Sequence, residues 1–159
     1  MTNSSIPLFE KSNASDLIDF KGKVTWVQVD NLNRFGKWSL YFYPDDKDLE
    51  RIRELQLKNT IKKDDNGWFL QVSRPPEIEF SKGVKTPCAP VKVRDANKNP
   101  IPPLIGDGSE VVLTCEVYTY RIPNSERRGK AMRLFGITVH NLVPKTVLTE
   151  EREQTESVW

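Results

Sequence analysis

The chain has 159 residues, of which 43 are Leu, Ile, Val or Phe, enough apolar side chains for one folded domain with a hydrophobic core. Its net charge of +2 is unevenly distributed, because residues 21–148 carry 22 Lys and Arg against 15 Asp and Glu while both ends are acidic. No stretch is apolar enough to span a membrane, and two cysteines are too few for a disulfide or zinc framework. The N-terminus does not resemble a signal peptide, so we expect a cytoplasmic protein.

The pattern of charge and hydropathy divides the chain into three parts. Residues 1–20 are polar and lack periodicity, which predicts a flexible or extended N-terminal segment. Residues 21–148 contain the apolar runs and the basic excess, and we expect them to form the folded domain. Residues 149–159 hold four glutamates and one arginine, which makes them an acidic C-terminal tail.

The folded domain begins with two β-rich runs, Lys23–Asp30 and Lys37–Tyr43. In the second run, alternate residues are apolar, so one face is predicted to lie on the core. A helix is predicted to follow, with Asp45 as its N-cap and Asp48 completing a capping box. We expect this helix to end near residues 62–67, where Asn-Gly is a turn signal.

Short strands are predicted for the rest of the domain. Trp68–Ser73 is the first, and Ile78–Phe80 and Val91–Arg94 follow within long proline-rich loops. Glu110–Arg121 is the longest strand, and a turn connects it to the last one, Lys130–Val143. Five or six strands, with one helix between the second and third and no βαβ alternation, favour an all-β antiparallel barrel over a sandwich, and we expect a five-stranded antiparallel barrel.

Few residues offer catalytic chemistry. His140 is the only histidine, and its place near the end of a strand favours a structural role. Gly106-Asp107-Gly108 lacks the lysine and the strand–helix context of a phosphate-binding loop, which indicates a turn. We therefore predict a protein that is not an enzyme and that has no cofactor and no metal site, although carboxylates brought together by folding remain an alternative.

Several aromatic residues occupy strand positions that are predicted to face outward with polar neighbours. Such rings suit base stacking, because every base presents a π-face whatever its identity. The alternative is that some of these rings lie under the helix or the long loops. The five candidates on three strands are Tyr41, Tyr43, Phe69, Tyr118 and Tyr120.

Basic residues flank these aromatic positions. A solvated surface explains any one of them, but interleaved with aromatic rings they suit contacts to phosphates along a nucleic-acid strand. The candidates are Lys37, Arg74, Arg94, Arg121, Arg127, Arg128, Lys130 and Arg133.

The acidic tail ends on a large aromatic residue. An aromatic anchor followed by a free carboxylate is typical of a docking peptide, and such a tail also suits the protein's own basic groove, in competition with nucleic acid. The alternative is an ordinary frayed terminus. The tail residues that we expect to bind a partner are Glu150, Glu151, Glu153, Glu156 and Trp159.

Three motifs resemble a known family. The run Val93–Thr119, continuing into Tyr120-Arg121, is similar to the C-terminal half of bacteriophage single-stranded DNA-binding proteins. The hairpin Phe35–Asp46 with its following helix, and the tail with its terminal Trp159, also resemble that family, although this tail is shorter and less acidic.

The resemblance implies an OB-fold that binds single-stranded DNA without sequence preference in phage DNA replication, recombination and repair, in the cytoplasm of the infected host. It also implies that Tyr120 and Arg121 contact DNA and that Trp159 belongs to a tail that binds replication proteins, such as the DNA polymerase and the helicase or primase. The residues themselves leave two alternatives open, an RNA-binding OB module and a protein-interaction adaptor without a nucleic-acid ligand.

Overall fold

The computed structural model describes residues 16–81, 83–122 and 124–145. These residues are mostly in strands and include a single short helix between the second and third strands, which confirms the predicted all-β class and the position of the helix. The elements are β1 Asp16–Gln28, β2 Trp38–Pro44, α1 Asp46–Leu55, β3 Ile61–Asp64, β4 Gly67–Arg74, β5 Glu77–Ser81, β6 Val84–Pro87, β7 Lys92–Asp95, β8 Ser109–Arg121 and β9 Arg128–Asn141.

The strands form one large sheet and a separate hairpin. The large sheet has seven strands in the order β3-β4-β2-β1-β8-β9-β7, and β5 pairs only with β6. All neighbours in it are antiparallel except β7, which runs parallel to β9. The structure differs from the predicted barrel of five antiparallel strands in two details. Two short strands flank the five long ones, and the sheet is not closed by a ladder between β4 and β9.

A short segment after the helix bridges the gap between β4 and β9, and we call Leu57–Thr60 the strap. The Lys58 amide donates a hydrogen bond of 2.7 Å to the Lys130 carbonyl, and Leu57 forms an isolated bridge with the same residue. The Asn59 amide group donates to the carbonyls of Gln71 on β4, at 3.3 Å, and Met132 on β9, at 3.1 Å. The Asn59 side-chain oxygen also accepts the Met132 N–H at 2.9 Å. The Asn59 side chain thus connects β4 and β9, which are not joined by a ladder of backbone hydrogen bonds.

The helix is shorter than the sequence predicts. It ends at Leu55, because Gln56 adopts a left-handed conformation with φ of 52° and donates its N–H to the Arg53 carbonyl. Residues 57–60 form the strap, and residues 61–64 pair with β4 as β3. The predicted helix end near residues 62–67, which rests on the Asn-Gly turn signal, is therefore too late.

The predicted capping box does not form. Asp45 is the N-cap residue, but its side chain makes no cap hydrogen bond. The Asp48 carboxylate instead accepts the Lys21 backbone N–H at 2.6 Å and an Arg51 guanidinium hydrogen bond at 2.8 Å. This contact joins the first turn of the helix to β1, which holds the buried Ile52 face of the helix against the sheet.

The core follows the period-two alternation of the strands. On β8, Val111, Leu113 and Cys115 are buried on the face that was predicted to line the core. Burial raises the pKa of the Cys115 thiol well above its usual range, so this cysteine serves as a small apolar core residue. Buried residues of β1, β2, β4 and β9 complete a single main cluster.

The first strand begins earlier than the predicted domain boundary at residue 20. Asp16 pairs with Val117 and Phe20 with Leu113, so residues 16–20 are extended and belong to the sheet. Residues 1–15 and the predicted acidic tail, residues 149–159, lie outside the described part of the chain.

Candidate nucleic-acid interface

An open groove of about 380 Å³ lies where β2, β4, the strap and the β8–β9 pair meet. Three of the predicted aromatic residues line it, namely Tyr41, Phe69 and Tyr118. The cationic side chains of the lining are Lys37, Lys58, Lys62 and Arg133, and among the described residues the lining holds no carboxylate. A groove with aromatic walls and four lining cations suits an anionic chain with flat rings.

The aromatic wall is built across β2 and β4. The ring centroids of Tyr41 and Phe69 are 5.1 Å apart, and those of Tyr43 and Phe69 are 5.2 Å apart, with interplanar angles of 32° and 30°. The rings meet because β2 and β4 are paired in antiparallel register, with Tyr41 opposite Gln71 and therefore diagonal to Phe69. All three rings are half-buried, so they form a supported surface with part of each ring in solvent.

A hydrogen bond fixes the far end of this aromatic wall. The Tyr43 hydroxyl donates to Asp64 Oδ2 at 2.5 Å, and Asp64 lies on β3 at the turn into β4. Burial is the largest cause that raises the pKa of Tyr43, and the hydrogen bond to the Asp64 carboxylate also raises it. Tyr43 therefore stays a neutral phenol that Asp64 holds in position.

Tyr118 lies on the opposite side of the groove under a guanidinium group. The Arg133 guanidinium carbon is 4.0 Å from the Tyr118 ring centroid, which is a close cation–π contact. Arg133 Nε is also 3.6 Å from Glu116 Oε1. This Nε is buried and has no hydrogen-bond partner among the described residues, so the guanidinium is held by charge and stacking.

Tyr120 lies beyond the groove, against a glycine. It is paired with Gly129, where an added Cβ would lie only 2.5 Å from the Tyr120 ring carbon Cζ, so a side chain at this position would require the ring to move. The Lys58 ammonium is 5.4 Å from the Tyr120 ring centroid. Since Lys58 also lines the groove, it connects Tyr120 to the groove.

Arg74 was predicted to contact DNA, and the structure places it in the interior instead. Its side chain faces inward in line with Leu70 and Val72 and is only 8% exposed. It forms a 3.0 Å ion pair with Glu116 and donates hydrogen bonds to the carbonyls of Ala89, at 2.7 Å, and Leu134, at 3.3 Å. All of these partners are distant in sequence, so local patterning carries no signal of this role.

Lys37 and Arg133 are the predicted basic residues that line the groove, and the others lie outside it. Arg94 is half-buried on β7, opposite Thr138 of β9, and does not line the groove. Four further basic residues are exposed at the β8–β9 hairpin, beyond Tyr120, namely Arg121, Arg127, Arg128 and Lys130. The predicted tail residues lie outside the described residues.

Sequence reasoning missed the two lysines of the groove that follow the helix, Lys58 and Lys62, because it placed them within the helix. It also treated the β1–β2 loop only as a turn. There Asn33 Oδ1 accepts the backbone N–H groups of Phe35, at 2.8 Å, and Lys37, at 3.0 Å, which supports a fixed loop. Phe35 is 69% exposed at its tip, with the Arg34 guanidinium 5.0 Å from its ring.

Other kinds of site find no support in the described residues. They contain no group of three His, Cys, Asp or Glu side chains placed to hold a metal ion. Within the same residues, no helix has the length and apolar character needed to cross a membrane.

Comparison with known proteins places the fold. No protein-family model matches the sequence, and no curated protein matches it significantly. Among solved structures, gp2.5, a single-stranded DNA-binding protein encoded by bacteriophage T7, matches with a TM-score of 0.61 and 10% identity over 89% of this chain and 94% of that chain. The single-stranded DNA-binding protein from bacteriophage Enc34 matches with a TM-score of 0.55 and 12% identity over 87% of this chain and 92% of that chain.

The Enc34 protein has also been solved in complex with single-stranded DNA. That structure has a TM-score of 0.52 and 13% identity, and the match covers 91% of this chain and 99% of that chain. Identities this low show the fold. The resemblance stated from the sequence is thereby confirmed at the level of structure, and the chain has the OB-type fold of bacteriophage single-stranded DNA-binding proteins.

Proposed function

We propose that this protein binds single-stranded DNA without sequence preference, with no catalytic step. The observation that carries the proposal is the groove lining, which contains three aromatic rings and four cations and, among the described residues, no carboxylate. The fold shared with phage single-stranded DNA-binding proteins supports the same function.

The aromatic wall favours unpaired bases as the ligand. Bases can stack on Tyr41 and Phe69 only when they are free of their partners, because the faces of bases inside a duplex are already covered. Each stacked base contributes about 1–3 kcal/mol whatever its identity, so the wall gives affinity with little sequence preference.

The cations supply the electrostatic part of binding. Lys37, Lys58 and Lys62 surround the aromatic wall. Each phosphate that they neutralise releases condensed counterions from the DNA, which favours binding and makes it depend on salt. Rings and cations on one surface match the alternation of bases and phosphates along a single strand.

The Tyr41→Ala variant tests the stacking role. We expect it to weaken binding of a labelled oligo-dT by about 1–3 kcal/mol, measured by fluorescence anisotropy. Trp26→Ala is the control, because Trp26 is 65% exposed but does not line the groove, and it should bind like the parent protein. Equal loss in both variants would refute a specific stacking site in the groove.

The two alternatives give different outcomes in the same assay. An RNA-binding module would prefer an RNA oligomer over a DNA oligomer of matched sequence, because it would have to read the 2′-hydroxyl. A protein-interaction adaptor would show no change in intrinsic fluorescence when the oligonucleotide is added. We expect quenching by oligo-dT and no preference for RNA.

We further propose that the protein acts in phage DNA replication, recombination and repair in the cytoplasm of the infected host, and that residues 149–159 bind replication proteins such as the DNA polymerase and the helicase or primase. The aromatic Trp159 and the four glutamates of this segment support this role. Deletion of residues 149–159 should abolish co-purification with these partners and raise the affinity for oligo-dT. Unchanged behaviour in both assays would contradict a functional tail.

A further inference from the structure

We propose that the strap, Leu57–Thr60, is itself a nucleic-acid contact, and that Lys58 binds the phosphate between two stacked bases. One of these bases would stack on the aromatic wall of Tyr41 and Phe69, and the other on Tyr120. This proposal rests on the proposed function and adds a defined role for a segment outside the long strands.

The position of Lys58 carries the inference. Tyr120 does not line the groove, whereas Lys58 both lines it and places its ammonium 5.4 Å from the Tyr120 ring centroid. A cation that lines the groove of one aromatic surface and lies next to a second aromatic ring suits the phosphate between two bases stacked on them. Lys58 is exposed, and within the described residues no carboxylate forms an ion pair with it, so its charge is available to a ligand.

The backbone of the strap is fixed on both sides. The Lys58 N–H is bonded to the Lys130 carbonyl at 2.7 Å, and the next residue, Asn59, bonds to β4 and β9 through three side-chain hydrogen bonds. A lysine on a fixed backbone loses less conformational entropy on binding than one on a loose loop. Asn59 is therefore a positioning residue for Lys58.

The Lys58→Gln variant tests the phosphate contact. A single-stranded site loses about 0.7 from the slope of log K against log salt for each phosphate contact removed, which corresponds to about a fivefold loss of affinity near 0.1 M salt. We expect this loss for oligo-dT binding, measured by anisotropy over a salt series. Lys47→Gln, on the exposed surface of α1, is the charge-matched control and should leave the slope unchanged.

A second measurement tests the link to Tyr120. If Lys58 binds the phosphate next to the base on Tyr120, the losses caused by Lys58→Gln and Tyr120→Ala should be less than additive in the double variant. Lys62→Gln is the matched control, because Lys62 lines the groove without a contact to the Tyr120 ring, and its loss should add to that of Tyr120→Ala.

The positioning role of Asn59 is tested by the salt slope of Lys58→Gln in an Asn59→Ala background. In an Asn59→Ala background, Lys58→Gln should no longer change the salt slope, which a loss of stability alone would not produce. Where Asn59→Ala does not fold, the Lys58 variants decide the proposal.

Two results would overturn the proposal while leaving the proposed function intact. One is a salt slope of Lys58→Gln equal to that of the parent protein. The other is an additive double variant with Tyr120→Ala. Failure of the parent protein to bind oligo-dT would instead refute the proposed function.

Discussion

Tyr43 shows how one neighbouring carboxylate defines the chemistry of a residue in the aromatic wall. Its hydroxyl donates to Asp64, and burial together with this hydrogen bond raises the pKa above the ordinary value of 10.0. The folded protein therefore keeps the Tyr43 proton at pH values where the unfolded chain has lost it. The resulting stabilisation is fully present below pH 10.0 and is lost as pH rises through the raised pKa.

Replacement of Tyr43 tests this linkage. The free energy of unfolding of the parent protein should fall above pH 10.0 more steeply than that of Tyr43→Phe, which has no proton to lose there. Urea unfolding at a series of pH values from 8 upwards, on the order of half a pH unit apart, measures the difference. Asp64→Asn should show an intermediate slope, because burial, the larger cause, remains. Parallel curves for Tyr43→Phe and the parent protein would contradict the assignment.

The sequence predicts single residues well where alternation alone decides their environment. Tyr41 and Phe69 were expected on an outward face and do line the groove, and Val111 and Leu113 were expected in the core and are buried. The sequence does not predict the environment of a residue whose partner is distant in the chain, such as Arg74, whose carboxylate partner lies 42 positions away. Period-two patterning places a side chain on a face but does not show what that face meets.

At the scale of elements, a buried ionic cluster joins β4, β8 and β9. Glu116 on β8 lies 3.0 Å from Arg74 Nη1 of β4 and 3.6 Å from Arg133 Nε of β9. All three side chains are at most 12% exposed, so each charge depends on the others for compensation. This cluster also places Arg133 over Tyr118, which connects the interior to the wall of the groove.

Arg74→Met tests the structural role that the fold assigns to this arginine. Removing one partner of a buried pair should lower the free energy of unfolding by about 3–5 kcal/mol, measured by urea unfolding. The salt slope for oligo-dT should not change. Arg127→Met, on the exposed hairpin, should show the reverse, with stability within about 0.5 kcal/mol and a slope smaller by about 0.7. A lowered salt slope with unchanged stability in Arg74→Met would instead support a direct contact between Arg74 and DNA.

Most strands coincide with predicted runs, including the short β5 and β7. The strands β2, β4, β8 and β9 match such runs closely, because each carries enough apolar residues to show a period, whereas β1 overlaps its predicted run only from Lys23 to Gln28. The short β3 contains one apolar residue in Ile61–Asp64 and was assigned to the helix. The strap is held by a single asparagine and backbone bonds, for which composition carries no signal.

At the scale of the whole molecule, the excess of basic residues in the folded domain can be located on its surface. The basic excess of residues 21–148 includes the four cations of the groove and those of the β8–β9 hairpin next to Tyr120. Under the proposed function, we expect such a surface to bind DNA with an affinity that falls as salt rises, and the aromatic wall to favour unpaired bases. Charge alone would attract duplex and single strands alike, so the preference between them separates the two contributions.

The central claim is tested most directly by the affinity of the full chain for oligo-dT and for a duplex of equal length over one salt series. We predict that log K for oligo-dT falls linearly with log salt and that oligo-dT binds more tightly than the duplex at every salt concentration. Equal affinities for oligo-dT and the duplex across the series would contradict the account.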